Sequence, residues 1–289
     1  MKVLDPAQGV VLPQAMWLCY STIAKMSGLT YEDVSSLVLP RELHVHAPSQ
    51  GAHVKQALAA LVELKLVTLE DDLLSADTLD AAAFLRRLRC QVVRPPWDIS
   101  DSYDGAPDLR SGLIWLMAQS PFEPLHWDSN VQVDMPPGLF TNNTRWNSFR
   151  PWATALGFAR PALRELLPPE QVARAHLVAD PTEAVIDVIL HPTTDPLPVN
   201  TQIPIATFMS FLRRELPVLP GHASATYEGL NRNPQDQLAA VGLALNSAEL
   251  RGVLTMAYQS DPTGVIALPD SGRAIGPRYV STIQIEGDE

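Results

Sequence analysis

Between Gly51 and Ala76 the chain reads GAHVKQALAALVELKLVTLEDDLLSA, an apolar stripe at helical spacing that passes into a short alternating stretch with a polar tip. Val54, Ala57, Leu58, Leu61 and Val62 fall on one face of a helix preceded by Pro48 and Ser49. Leu66–Leu69 and Leu73–Ala76, joined by Glu70, Asp71 and Asp72, predict a small hairpin with an acidic tip. Two shorter helical patterns lie upstream. From Gln14 to Met26, Trp17, Leu18, Ile23 and Met26 recur at helical spacing until Gly28 stops them, and Thr30 then caps TYEDVSSLVL, with Asp33 completing a capping-box pattern and Pro40 ending it. Three helices followed by a hairpin outline a winged helix-turn-helix.

The pattern continues as helices with few strands. A helix from Leu79 to about Val92 carries Arg86, Arg87 and Arg89 and ends at Pro95-Pro96-Trp97. After a polar boundary at 98–108 come LRSGLIWLMAQ and RWNSFRPWATALGF, where Trp146, Phe149, Trp152 and Leu156 at spacings of three and four predict a middle core. DPTEAVIDVILHP reads as a short helix closed by Pro192, and a stretch with Pro196, Pro198 and Pro204 follows it. The last unit begins with IATFMSFLRREL. In it, the helix from Pro234 to about Arg251 sits where a recognition helix would, followed by strand TMAYQS, turn DPTG and strand VIALP as a hairpin, with YVSTIQIE as an added strand. The expected fold is mainly α with small β-hairpins (α+β), in tandem winged helix-turn-helix domains. The expected divisions are 1–78, an N-terminal winged helix; 79–108, a basic helix and Pro-rich linker; 109–200, a middle helical domain of weaker winged-helix pattern; and 201–289, a C-terminal winged helix.

Charge changes this picture. The net charge of −11 and pI near 5.0 oppose tight autonomous binding to nucleic acid, whose affinity comes largely from phosphate neutralisation by Lys and Arg. No apolar run is long enough to span a bilayer and the N-terminus lacks a signal-peptide pattern, so a soluble, cytoplasmic protein is expected. Cys19 and Cys90 form no CxxC pair and stand in apolar helical patterns, as small core residues do.

Candidate chemistry is sparse. The nucleophile elbow GxSxG and the phosphate loops GxxxxGK[ST] and GxGxxG are missing. His222 with Ser224 has suitable residue types without the elbow, and His44 with His46 lacks a carboxylate or cysteine at ligand spacing. No catalytic residue, metal site or cofactor is therefore expected. For DNA, the third helix offers His53, Lys55 and Gln56, and Arg86, Arg87 and Arg89, with Arg94, form a basic strip on the next helix. Gln235, Gln237, Asn246 and Glu249 on the C-terminal counterpart bring almost no cations.

MKVLDPAQGVVLP leading into the first unit, Trp146-x-x-Phe149-x-x-Trp152-Ala153-x-x-Leu156-Gly157, the Asp180-Pro181 helix start and FMSFLRRELPVLPG together resemble the DpdG-like proteins. The resemblance implies an accessory subunit of a bacterial DNA-modification or anti-phage defence cluster, working beside ATPase, helicase or nuclease subunits, with no catalytic residues to carry over. The expectation is a non-enzymatic adaptor that mediates protein–protein contacts, with DNA touched inside the complex. The alternative is a DNA-binding transcriptional regulator that uses the same helix.

Overall fold

The computed structural model describes residues 2–4, 11–40, 51–98, 105–163, 167, 176–226, 238–260, 264–268 and 276–287. It is mixed α/β, 49% helical and 14% strand, with the strands confined to small antiparallel sheets. The chain forms two compact units, one of residues 1–111 with 140–156 and the other of residues 112–139 with 157–289. This division differs from the boundaries expected at 78, 108 and 200. The aromatic helix predicted for a middle domain belongs to the first unit, and the short helix after Asp180 belongs to the second.

In the first unit, α1 (Pro13–Lys25) starts with proline, whose missing N–H is no loss in the first turn. Its buried face is Met16, Cys19, Tyr20 and Ile23. The expected stripe through Leu18 and Met26 is displaced: these two are 49% and 47% exposed. Tyr20 causes the shift, because its ring packs 4.7 Å from that of Phe84 while its hydroxyl donates to Asp77 O, satisfying both ends of an amphipathic side chain. Helix α2 (Tyr31–Val38) carries the expected capping box of Thr30 and Asp33. Gly51, at φ +81°, opens α3 (Ala52–Glu63), which buries Val54, Ala57, Leu58 and Leu61 against α1 and α2.

The hairpin follows as β1 (Thr68–Glu70) and β2 (Leu73–Ser75). Glu70 pairs with Leu73, so Asp71 and Asp72 alone make the turn, and their φ values of +50° and +63° are those of the mirror-image turn that matches strand twist. Leu29, between α1 and α2, bridges Leu74, giving the spatial order Leu29, β2, β1. Next, α4 (Ala81–Val93) is capped by Asp80, and α5 (Pro107–Met117) and α6 (Asn143–Ala155) follow. Trp146, Phe149 and Trp152 of α6 are fully buried, and Trp152 Nε1 donates to Val11 O at 2.9 Å.

The second unit contains a π-helical turn, Trp127–Val131, a small hairpin of β3 (Ala159–Pro161) and β4 (Leu177–Ala179), and then α7 (Thr182–Leu190), β5 (Gln202–Pro204), α8 (Ile205–Glu215) and α9 (Ala239–Leu250). Residues Pro234–Gln237 of the predicted helix, and Asp261–Thr263 of the predicted turn, lie outside the described residues. The predicted hairpin does not form as drawn. Strand β6 (Leu254–Ala257) pairs with β9 (Thr282–Ile285), and β7 (Ile266–Leu268) pairs with β8 (Arg278–Val280). Burial decides this register: Leu254 and Met256 stand opposite Ile285 and Ile283, four buried apolar residues that period-two alternation puts on the core face. Ser281 breaks the predicted YVSTIQIE strand, donating its N–H to Ala257 O. The resulting sheet has the order β5-β9-β6.

Two contacts hold the second unit where loops are long. Gly157, at φ +80°, lies so close to α7 that a Cβ would stand 2.8 Å from Ala184 N. Glu215, at the end of α8 and 5% exposed, accepts hydrogen bonds from the backbone N–H and hydroxyl groups of Thr193 and Thr194. Burial alone would raise the Glu215 carboxyl, but these bonds to the charged form outweigh it and hold the group below the ordinary carboxylate value.

Candidate nucleic-acid interface

Helix α3 turns its polar residues outward because its apolar stripe is taken up by α1 and α2. His53 and Lys55 are exposed and Gln56 is half-buried. The arginines of α4 do not make the expected strip. Arg89 is 5% exposed and its Nη1 donates to Leu156 O at 3.2 Å, at the carboxyl end of α6, where a cation and a donor are both favoured. Arg87 is ion-paired with Asp77 at 2.5 Å, and Arg86 is half-buried. Arg89 is therefore an internal capping donor and not a surface contact. Arg110 does the same at the end of α4, donating from Nε to Val93 O; burial lowers its pKa to about 10.

The hairpin beside α3 supplies no compensating charge. Glu70, Asp71 and Asp72 are all exposed at its tip, where they repel a phosphate backbone.

The C-terminal counterpart of α3 has a different surface. In α9, Ala239, Ala240, Val241, Gly242, Ala244, Leu245 and Ala248 are buried, so most of the helix is core. Asn246 and Glu249 turn to Arg278: its Nη1 donates to Asn246 Oδ1 at 3.0 Å, and both Nη1 and Nη2 reach the Glu249 carboxylate. Gln235 and Gln237 lie outside the described residues. No signal in the sequence marked Arg278 as the partner, since it stands about thirty residues from both and in another element.

Among the described histidines, His222 and Ser224 lie together as the sequence suggested. His222 Nδ1 lies 2.8 Å from Ser224 Oγ and accepts from Ser224 N, while Ser224 is buried and its hydroxyl also reaches Pro217 O. This arrangement closes a turn; it does not present a nucleophile. His44 and His46 are outside the described residues. The structure does bring together His126 and His176, with ring centroids 4.9 Å apart across the Leu125–Leu177 bridge, a pair fifty residues apart in sequence. Among the described residues, no group of three His, Cys, Asp or Glu side chains is placed to hold a metal ion. Burial pushes the Cys19 thiol up to about 11, which leaves it protonated and unreactive. No described helix is long and apolar enough to cross a membrane.

The model of the DpdG-like family matches residues 1–262. No curated protein and no solved structure matches the chain.

Proposed function

The chain belongs to the DpdG-like family, which places it with DNA-modification gene clusters, and on that premise we propose that it is a non-enzymatic accessory subunit of a bacterial DNA-modification or anti-phage defence complex, built on two winged-helix modules. One observation carries the reading. Among the described residues the order helix, extended segment, helix, helix, strand, strand is found as α1, Leu29, α2, α3, β1, β2, and again as α7, β5, α8, α9, β6, β9, where the paired strands β7 and β8 are inserted between the last two. Both times the last strand lies between the other two. That order supports the winged-helix reading.

The two modules do not offer DNA the same surface. His53, Lys55 and Gln56 of α3 are the residues assigned to a duplex that partner subunits hold, whereas α9 is a core helix with Asn246 and Glu249 engaged by Arg278. A net charge of −11 and an acidic hairpin tip support docking to proteins as the main role. The test has two arms. Affinity purification from the native host is expected to recover ATPase, helicase or nuclease subunits of the cluster at fixed stoichiometry. Duplex binding by the purified chain, followed by fluorescence anisotropy, is expected to be weak and poor in sequence preference at low salt and lost at physiological salt, with Lys55→Glu abolishing the low-salt binding. Tight, sequence-selective binding that survives physiological salt, with no copurifying subunit, would replace this reading with a transcriptional regulator.

A further inference from the structure

Strand β6 is the outer strand of its sheet, and among the described residues no strand pairs with its far side. On its inner side, Val253 O and Ala257 O accept from Glu286 N and Ser281 N. Antiparallel alternation therefore points the backbone N–H and C=O of Met256 to the open edge. Such an edge is a template for another strand, and proteins blunt it with charge, proline or a bulge. The opposite outer strand, β5, ends in Pro204. Strand β6 reads Leu-Thr-Met-Ala, with neither a charge nor a proline, and the exposed Thr255 and Ala257 are small enough to admit a neighbour.

Both outward groups of Met256 are nonetheless occupied by side chains. Its N–H donates to Glu249 Oε1 at 2.8 Å, and its carbonyl accepts from Arg278 Nη2 at 3.2 Å. Glu249 and Arg278 are ion-paired with each other, and Asn246 steadies the guanidinium. Glu249 comes from α9 and Arg278 from β8, so neither belongs to the strand it covers.

We propose that Glu249 and Arg278 are an edge guard, which keeps β6 from pairing with β6 of a second copy of this chain. A second copy is the occupant because an uncharged strand meeting itself antiparallel about a two-fold axis satisfies both edges at once. The inference concerns self-association and holds whether or not the chain is an accessory subunit.

The experiment measures the mass in solution of wild type, Glu249→Ala and Glu249→Gln by light scattering across a concentration series. Glu249→Ala is expected to approach twice the wild-type mass as concentration rises, while Glu249→Gln, which retains an acceptor for Met256 N, stays near wild type. Adding Thr255→Lys to Glu249→Ala places a cation on the bare edge and is expected to restore the wild-type mass. A misfolded aggregate would not be rescued in this way, and failure of that rescue counts against the guard. Disulfide cross-linking through Thr255→Cys should appear in the Glu249→Ala background and not without it. A folded Glu249→Ala chain that keeps the wild-type mass throughout, or cross-linking through Thr255→Cys with Glu249 intact, would overturn the proposal.

Discussion

Replacing Trp152 by alanine separates a core role from an interface role for the aromatic residues of α6. Trp152 is fully buried and its Nε1 donates to Val11 O at 2.9 Å. Removing the indole forfeits its transfer free energy and leaves a cavity bounded by a helix that cannot close over it, which costs ~3–5 kcal/mol for a large aromatic residue. Trp152→Phe keeps most of the ring volume and removes only the N–H. It leaves Val11 O without that donor, at a cost of about 1–3 kcal/mol. The expected order of stability is therefore wild type, Trp152→Phe, Trp152→Ala, measured by urea titration. Hydrogen exchange followed by mass spectrometry then locates the loss: peptides covering α1 and α6 should lose protection while those covering α7 and α9 keep theirs, because Trp152 belongs to the first unit. Wild-type stability for Trp152→Ala, together with loss of a copurifying subunit, would refute the core assignment and make these aromatic residues an interface.

Glu215 links stability to pH. Its folded-state pKa is depressed, so the unfolded chain binds a proton more readily; the stabilisation is complete above the unfolded value and is lost as pH falls through the folded one. Glu215→Gln should remove this acid-side dependence from a melting-temperature profile and cost about 1.5–3 kcal/mol for each charge-assisted bond that the amide cannot replace. An unchanged acid limb would mean that Thr193 and Thr194 do not hold the charge. Asp72→Gly is expected to stabilise the first unit by up to about 1 kcal/mol in urea titration, since glycine adopts the +63° φ without strain and Asp-Gly suits this two-residue turn. Arg89→Ala should lower stability while leaving duplex affinity at low salt unchanged once the folded fraction is accounted for, because the side chain caps α6 from inside.

The local signals in the sequence were legible wherever a few adjacent residues decide the outcome. Thr30 and Asp33 announced a capping box, the α3 stripe announced its buried face, and the three acids between two short apolar runs announced a hairpin, whose turn the structure narrows to Asp71 and Asp72. Periodicity was less reliable where an amphipathic residue competed: Tyr20 took a core place in α1 because Asp77 O satisfied its hydroxyl, and the stripe rotated away from Leu18 and Met26. Only the tertiary structure decided which segments pair and which cations are free for a ligand. Strand β6 chose β9 over its neighbour in sequence because the pairing that buries Leu254, Met256, Ile283 and Ile285 together is not encoded in either strand alone. Arg89 and Arg278 look like surface residues in the sequence. A guanidinium can be buried or tied down wherever a distant carbonyl or carboxylate awaits it, and the positions of Leu156 O and Glu249 exist only once the chain has folded.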